Sequence, residues 1–358
     1  MKFRPRIPRS PWSRLGIAVA FLAGVGALLW WHGPNWGDFR DAFTRVDWKW
    51  VAAAVGLNLL SVVARSAAWN TVIDSAIPPP HPRFPLVFSA FSVGLLANAV
   101  LPGRVGEFAR VAVLTRRMNG RRQGLWPTLV GTVFAHRVFD LVPVAILVVW
   151  VLATAKIPGW AFTSLAIVLS VGLGLFLFAF ATARVPGRTR LEGMGTVRRV
   201  LTMARQGLGV MRNFRAAVLA VFGQCAGWTC QLFAVWTAML AFDIHEALPV
   251  AGLVLLLMNV ATILPLWPGN VGLVQAAIAL PLVQYGVPYA KGFAFGLGLQ
   301  AIEASVGVGV GLIFLGREGL SFARLREMPG AATAEIPDGT AAPEEASGRE
   351  PARARVPG

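Results

Sequence analysis

Ionisable side chains are scarce in this sequence: Asp, Glu, Lys and Arg make up 14% of 358 residues, against 56% hydrophobic residues. A soluble domain cannot hide so much apolar surface, so the composition excludes an ordinary soluble fold and points to an integral membrane protein. Acidic residues are the rarer sign, 17 against 33 Lys and Arg, and the net charge is +16. In a soluble chain that excess would suggest nucleic acid. Here the basic residues collect between apolar runs, as the positive-inside rule expects, and no nucleic-acid partner is expected. Cysteine is nearly absent: Cys225 and Cys230 share one apolar run and read as small packing residues rather than a disulfide or a metal site. No P-loop, metal-ligand spacing or nucleophile elbow occurs. The expectation is no metal, no cofactor, no nucleotide-driven step and no enzymatic activity.

What is abundant is long apolar segments. Residues 1–14 are polar and basic (Lys2, Arg4, Arg6, Arg9, Arg14), and 15–31 form an apolar run ending in Trp30 and Trp31. No small-x-small cleavage pattern follows, and paired tryptophans suit a membrane interface, so the run reads as a first transmembrane helix rather than a signal peptide. Residues 32–49 mix aromatics with balanced charge and read as a short interfacial helix. Further spans are expected at about 50–73, carrying Arg65, and at about 126–152, 160–182, 215–241 and 289–315. From 316 to 358, Ala, Pro, Glu, Gly and Arg dominate, the composition of a disordered tail.

Two segments do not fit whole spans. Residues 95–114, LLANAVLPGRVGEFARVAVL, carry Asn98, Pro102, Arg104, Gly106, Glu107 and Arg110 in apolar surroundings. Residues 261–280, ATILPLWPGNVGLVQAAIAL, repeat the PGxVG core 166 positions later, with Pro268, Gly269, Asn270, Gly272 and Gln275. Crossing about 30 Å of hydrocarbon takes about 20 helical residues. The stretches 86–100 and 106–117 are each too short, and Pro and Gly break the ladder between them. Re-entrant helical hairpins are the economical reading; a bent pair of full spans is the alternative.

Arg116, Arg117, Arg121 and Arg122 at the exit of the first hairpin, and the arginine-rich loop 184–215, place those segments inside, with both termini cytoplasmic in the inner membrane. The first hairpin then opens from the cytoplasm and the second from outside. The same 166-residue shift lays 50–73 over 215–241, and 126–152 near 289–315. The fold class is thus all-α and polytopic, about six full spans plus two re-entrant hairpins in an inverted repeat (50–152 and 215–315) within a membrane domain of 15–315. Inverted repeats with broken helices are a transporter signature, although duplication also occurs in static scaffolds.

Charges within the spans sharpen the expectation. Arg137 and Asp140 lie mid-span in 126–152 and Glu303 mid-span in 289–315. Each costs at least about 2.5 to 3.5 kcal/mol at the bilayer centre, so such groups face a wet cavity or each other. Positions 137 and 303 are again 166 apart, so Arg137 and Glu303 are candidates to pair across the repeat axis; a structural ion-pair network, Arg137 with Asp140 at i,i+3 plus Glu303, that only fixes packing is the alternative. At the first hairpin, free N–H groups near Gly106, the helix dipole and Arg104 make a place for an anion such as a lipid phosphate. Glu107 either serves that site or merely favours the dipole, and Arg110 either reaches the same headgroup or snorkels to the interface.

NAVLPGRVGEFAR, the later PLWPGNVG and the segment HRVFD together resemble the membrane domain of lysylphosphatidylglycerol synthase/flippase proteins. The resemblance covers roughly residues 15–315. Its first motif, N-x-x-L-P-x-R-x-G-E-x-x-R, falls on Asn98, Leu101, Pro102, Arg104, Gly106, Glu107 and Arg110. It implies paired re-entrant helices and a role in moving lipids, including aminoacylated phospholipids, between leaflets. The chain departs from the family pattern at His136, where a glutamate is common, at Gln275, where the second motif often ends in glutamate, and at Gln300 and Glu303, where the last span often carries an arginine. These departures imply a different cargo. Nothing after 316 is long enough for an aminoacyl transferase domain, so lysyl transfer is not expected.

Membrane lipids are the expected partner, with a homo-oligomer permitted by GxxxG-like spacing at Gly307 and Gly311. Two other classes remain: an intramembrane enzyme using Glu107, His136 and Asp140 as acid and base, and a non-transporting partner of a lipid or glycan biosynthetic enzyme.

Overall fold

A computed structural model describes residues 35–100, 105–118, 125–184, 213–263 and 270–317. The basic segment 1–14, the run at 15–31, Pro102, Arg104, Pro268, Gly269 and the tail after 317 lie outside them. The described residues form helices and connecting turns, with no strand among them. In order these are α1 (Trp36–Thr44), α2 (Trp48–Ala76), α3 (Phe84–Val100), α4 (Gly106–Arg117), α5 (Leu125–Thr154), α6 (Gly159–Arg184), α7 (Phe214–Ala241), α8 (Leu248–Ala261), α9 (Leu273–Leu282) with a 3-10 turn at Val283–Tyr285, and α10 (Tyr289–Arg317).

Five of them, α2, α5, α6, α7 and α10, are long and apolar enough to cross a membrane, and they fall on five of the six spans expected from the sequence. Their outward faces stay greasy: Ile167, Leu173, Leu177, Leu219, Phe222 and Ile313 are all exposed. In water that would be an aggregation hazard; in lipid it is the matching solvent. A short helix is present within 32–49 as α1, capped by the Asn35 side chain, which accepts from Gly37 N–H at 3.0 Å. Asp47 restarts the chain into α2 by accepting from Lys49 N–H at 2.9 Å.

Element bounds repeat with the 166-residue period seen in the sequence. Shifting α2, α3, α4 and α5 by that distance lays them on α7, α8, α9 and α10, each to within a few residues except at the C-terminal end of α3, which outruns α8. Packing follows the same rule, since each helix pair in contact within one half has its counterpart in the other, and α2 and α7 pack on each other. These two run antiparallel. Asp47 N–H donates to Ala241 O at 3.0 Å at one end, while Val72 clusters with Ala216 and Ala220 at the other.

Each short pair folds back on itself. At 1.5 Å per residue, the 17 residues of α3 and 12 of α4 are about 25 and 18 Å long, short of the hydrocarbon thickness. A Cβ on Gly106 would sit 2.0 Å from Gly94 O, so only glycine allows this approach of α4 to α3. Asn98 closes the turn by accepting from Gly106 N–H at 2.8 Å. The second pair, α8 and α9, uses different devices. Asn270 and Gly272 take positive φ (45° and 94°), and Asn270 Nδ2 donates to Ala261 O at 2.9 Å. Two apolar cores result, one around each hairpin.

On α10, Gly311 packs tightly on α3, since a Cβ there would meet Leu96 Cβ at 2.5 Å, whereas Gly307 has only Leu95 Cβ near it, at 3.9 Å.

Candidate functional site

Polar groups from both halves meet between the two hairpins. Helix α5 presents His136, Arg137 and Asp140 on adjacent turns, α4 presents Glu107 and Arg110 at i,i+3, α2 presents Arg65, and α7 and α10 add Gln231 and Glu303. Those on α2, α5, α7 and α10 line a cavity of about 390 Å³ whose lining also includes Asn98 from the first hairpin and Thr262 and Asn270 from the second, while Glu107 and Arg110 stand behind it in contact with Arg137 and Phe91. Arg65, Arg137, Asp140 and Glu303 line it directly and sum formally to zero charge.

Around Arg137 the charges are tightly paired. Its Nη1 donates to Asp140 Oδ2 at 3.1 Å and its Nη2 to Glu107 Oε1. The other Glu107 oxygen lies 2.5 Å from Arg110 Nη2. Trp228 Nε1 donates to Asp140 Oδ1 at 3.1 Å. Arg110 is only 3% exposed, its guanidinium stacked 4.6 Å from the Trp69 ring and 5.4 Å from Phe91. Burying a charge this deeply is tolerable only with its partner in place.

A second group links α2, α7 and α10. Arg65 Nη2 donates to Gln231 Oε1 at 2.6 Å, and Gln231 Nε2 donates to Glu303 Oε1 at 3.0 Å. Arg65 also lies over the Trp228 ring at 4.9 Å. His136 is buried, its Nε2 3.1 Å from both Arg65 O and Gln224 Nε2, and Gln224 Nε2 also donates to His136 O. These contacts pack His136 into the cavity wall.

Several expectations change. Arg137 does not pair with Glu303: it has two nearer carboxylates, Glu107 and Asp140, while Glu303 takes its hydrogen bond from Gln231. Arg110 does not snorkel, because aromatic faces and Glu107 hold it inside. Glu107 is engaged by two arginines rather than by the helix terminus alone. Gln275 is fully buried, accepting from Gly272 N–H and donating to Gln300, each at 2.5 Å, so it braces the second hairpin against α10 instead of facing the cavity.

Gln231, Trp228, Asn58 and Ser61 belong to the site, and reading the sequence did not single them out. Gln231 had a signal, since it is the residue 166 positions after Arg65. Arg65, Asn98, Glu107, Arg110, Arg137, Asp140, Glu303 and Asn270 do come together, as lining or in direct contact with it.

Residues 15–311 match the family described as Lysylphosphatidylglycerol synthase TM region. No curated protein and no solved structure matches the chain.

Proposed function

Because the chain belongs to the lysylphosphatidylglycerol synthase TM region family, we propose that it binds a lipid headgroup in the cavity between its hairpins and moves that lipid between leaflets. The observation that carries the reading is the mixed-charge cavity itself, lined by both hairpins and both halves of an apolar helical chain. A charged pocket at this depth costs several kcal/mol, which a purely structural bundle would save by using apolar residues. Apolar helix faces around it would carry the acyl chains while the polar lining replaces water around the head.

In this reading the two hairpins enter from opposite leaflets, and the antiparallel packing of α2 on α7 supports an inverted relation of the halves. Each half then gives the shared cavity access to one side, the logic of alternating access. The basic loops remain cytoplasmic, as do both termini. No bond is made or broken, and the cargo is an anionic or aminoacylated phospholipid or a polyprenyl lipid.

Reconstitution in vesicles containing fluorescent phosphatidylglycerol tests this by dithionite quenching. Wild-type protein should expose inner-leaflet label; Arg104→Ala and Arg137→Gln, which leave the buried Arg110–Glu107 pair intact, should remain monodisperse yet lose translocation. Wild-type rates in both variants would remove the cavity from the mechanism.

A further inference from the structure

Arg65 and Glu303 differ from the other charges at the site in having no oppositely charged group at ion-pair distance among the described residues. Arg137 has Asp140 and Glu107, and Arg110 has Glu107. Arg65 and Glu303 instead share one neutral amide: Gln231 accepts from Arg65 Nη2 at 2.6 Å and donates to Glu303 Oε1 at 3.0 Å. Arg65 Nε is buried and has no acceptor among the described residues. Guanidinium and carboxylate thus form an ion pair held apart by an amide, and both residues line the cavity.

We propose that Glu303 is a proton-uptake site coupled to the binding of a phosphate anion at Arg65. This rests on the lipid-moving reading and adds its coupling ion. A hydronium ion reaching the cavity through its water gives a proton to Glu303 Oε2, one O–H bond breaking in the hydronium as one forms on the carboxylate and neutral water being left; Oε1 keeps the Gln231 hydrogen bond, and nothing is oxidised or reduced. The four lining charges then sum to plus one, with Arg65 the group left unbalanced, and a monoanionic phosphate diester restores neutrality. When the anion leaves, the proton returns to water. One proton therefore travels with one anionic head.

Charged groups facing the same space limit the alternatives. They are Arg65 on α2 and His136, Arg137 and Asp140 on α5; α3, α7 and the second hairpin contribute uncharged Asn98, Gln231, Thr262 and Asn270. Helix α1, which also packs on α10, touches it at Phe293 and not near Glu303. A cationic head placed on Glu303 would enter beside Arg65 and Arg137, whereas a proton needs no volume and adds no second bulky cation.

The test counts protons. Purified full-length protein in weakly buffered detergent with a pH dye is mixed with phosphatidylglycerol, or with glycerophosphoglycerol, the same head without chains. Wild type should take up about one proton per ligand bound, and Glu303→Gln should bind without uptake; Gln231→Leu, which removes the spacer, should uncouple the two. Uptake with the soluble head places the coupling at the phosphate alone, and uptake only with the lipid adds a need for chains; either supports the site. Binding without uptake in wild type, no binding of either probe, or equal uptake by Glu303→Gln overturns it. Parallel vesicle assays separate this from the transport reading. Translocation that ignores a pH gradient, with no proton uptake, sinks the coupling alone; proton uptake without translocation sinks transport and leaves the coupled site.

Discussion

Arg65 and Gln231 are 166 residues apart and hydrogen-bonded, Nη2 to Oε1, at 2.6 Å. The 166-residue shift lays one on the other, so this bond joins corresponding positions of α2 and α7. Its chemistry is asymmetric, cation on one side and neutral amide on the other, and with its oxygen turned to Arg65 the Gln231 amide points its nitrogen at Glu303. Duplicated geometry with diverged side chains gives one cavity two unlike walls.

Moving the carboxylate tests this arrangement. Gln231→Glu should pair directly with Arg65 but place two carboxylates at hydrogen-bond distance, destabilising the protein by about 1 to 3 kcal/mol through repulsion and the lost donor. Adding Glu303→Gln should recover most of that loss, because the charge has moved and not multiplied. Thermal unfolding of the purified single and double variants measures it; a double variant no more stable than Gln231→Glu alone would show that the bridge does not organise the site.

Helix approach at the first hairpin is set by backbone. Gly106→Ala would place a methyl 2.0 Å from Gly94 O and 2.6 Å from the Asn98 carboxamide, and α3 and α4 would have to part. Overpacking of this kind costs about 1 to 3 kcal/mol or more. Gly309→Ala, which meets nothing within 4 Å, should stay within about 0.5 kcal/mol of wild type. The monodisperse fraction after extraction and the melting temperature distinguish the two.

Arg110 is the charge least able to lose its partner. With Glu107→Gln, a guanidinium with a 4% exposed side chain keeps only the Trp69 and Phe91 faces and a weakened acceptor, and the cost should reach about 3 to 5 kcal/mol. Glu107→Gln combined with Arg110→Met removes both charges and should regain most of that stability. Chemical denaturation of the pair and of each single variant gives the coupling directly.

Much of this was legible in the sequence because length and period are strong signals. Apolar runs located α2, α5, α6, α7 and α10, and Pro-Gly breaks located both hairpins. The site was legible in part: mid-span charges announced themselves by their cost, so Arg65, Arg137, Asp140 and Glu303 were found. Their pairing was legible only in part: the i,i+3 spacing offered Arg137 with Asp140, which is present, but not Arg137 with Glu107. Which carboxylate Arg137 takes depends on how α4 docks on α5, a consequence of the Gly94–Gly106 contact that no spacing rule encodes. Gln231 and Trp228 stayed hidden because a neutral amide or an indole in a span carries no comparable penalty and looks like packing.

Outside the spans, Asp243 and Lys291 clasp the end of α7 to the start of α10. Lys291 Nζ donates to Asp243 O at 2.7 Å and to its carboxylate at 3.2 Å, and Asp243 sits at φ 55°. That hydrogen bond and charge hold the Asp243 carboxyl below its ordinary titration range, with His245 and Arg45 adding smaller pulls in the same direction. A carboxyl depressed on folding stabilises above its unfolded pKa and loses that contribution as pH falls through the folded value. Exposure keeps the gain small, under about 1 kcal/mol. Asp243→Asn tolerates the left-handed backbone but removes the charge, so it should melt slightly below wild type at neutral pH, and the two curves should converge on acidification below the usual carboxylate range. Melting temperatures measured across pH for both proteins decide it, and a difference that persists unchanged into acid would mean the clasp acts through hydrogen bonding to the backbone and not through charge.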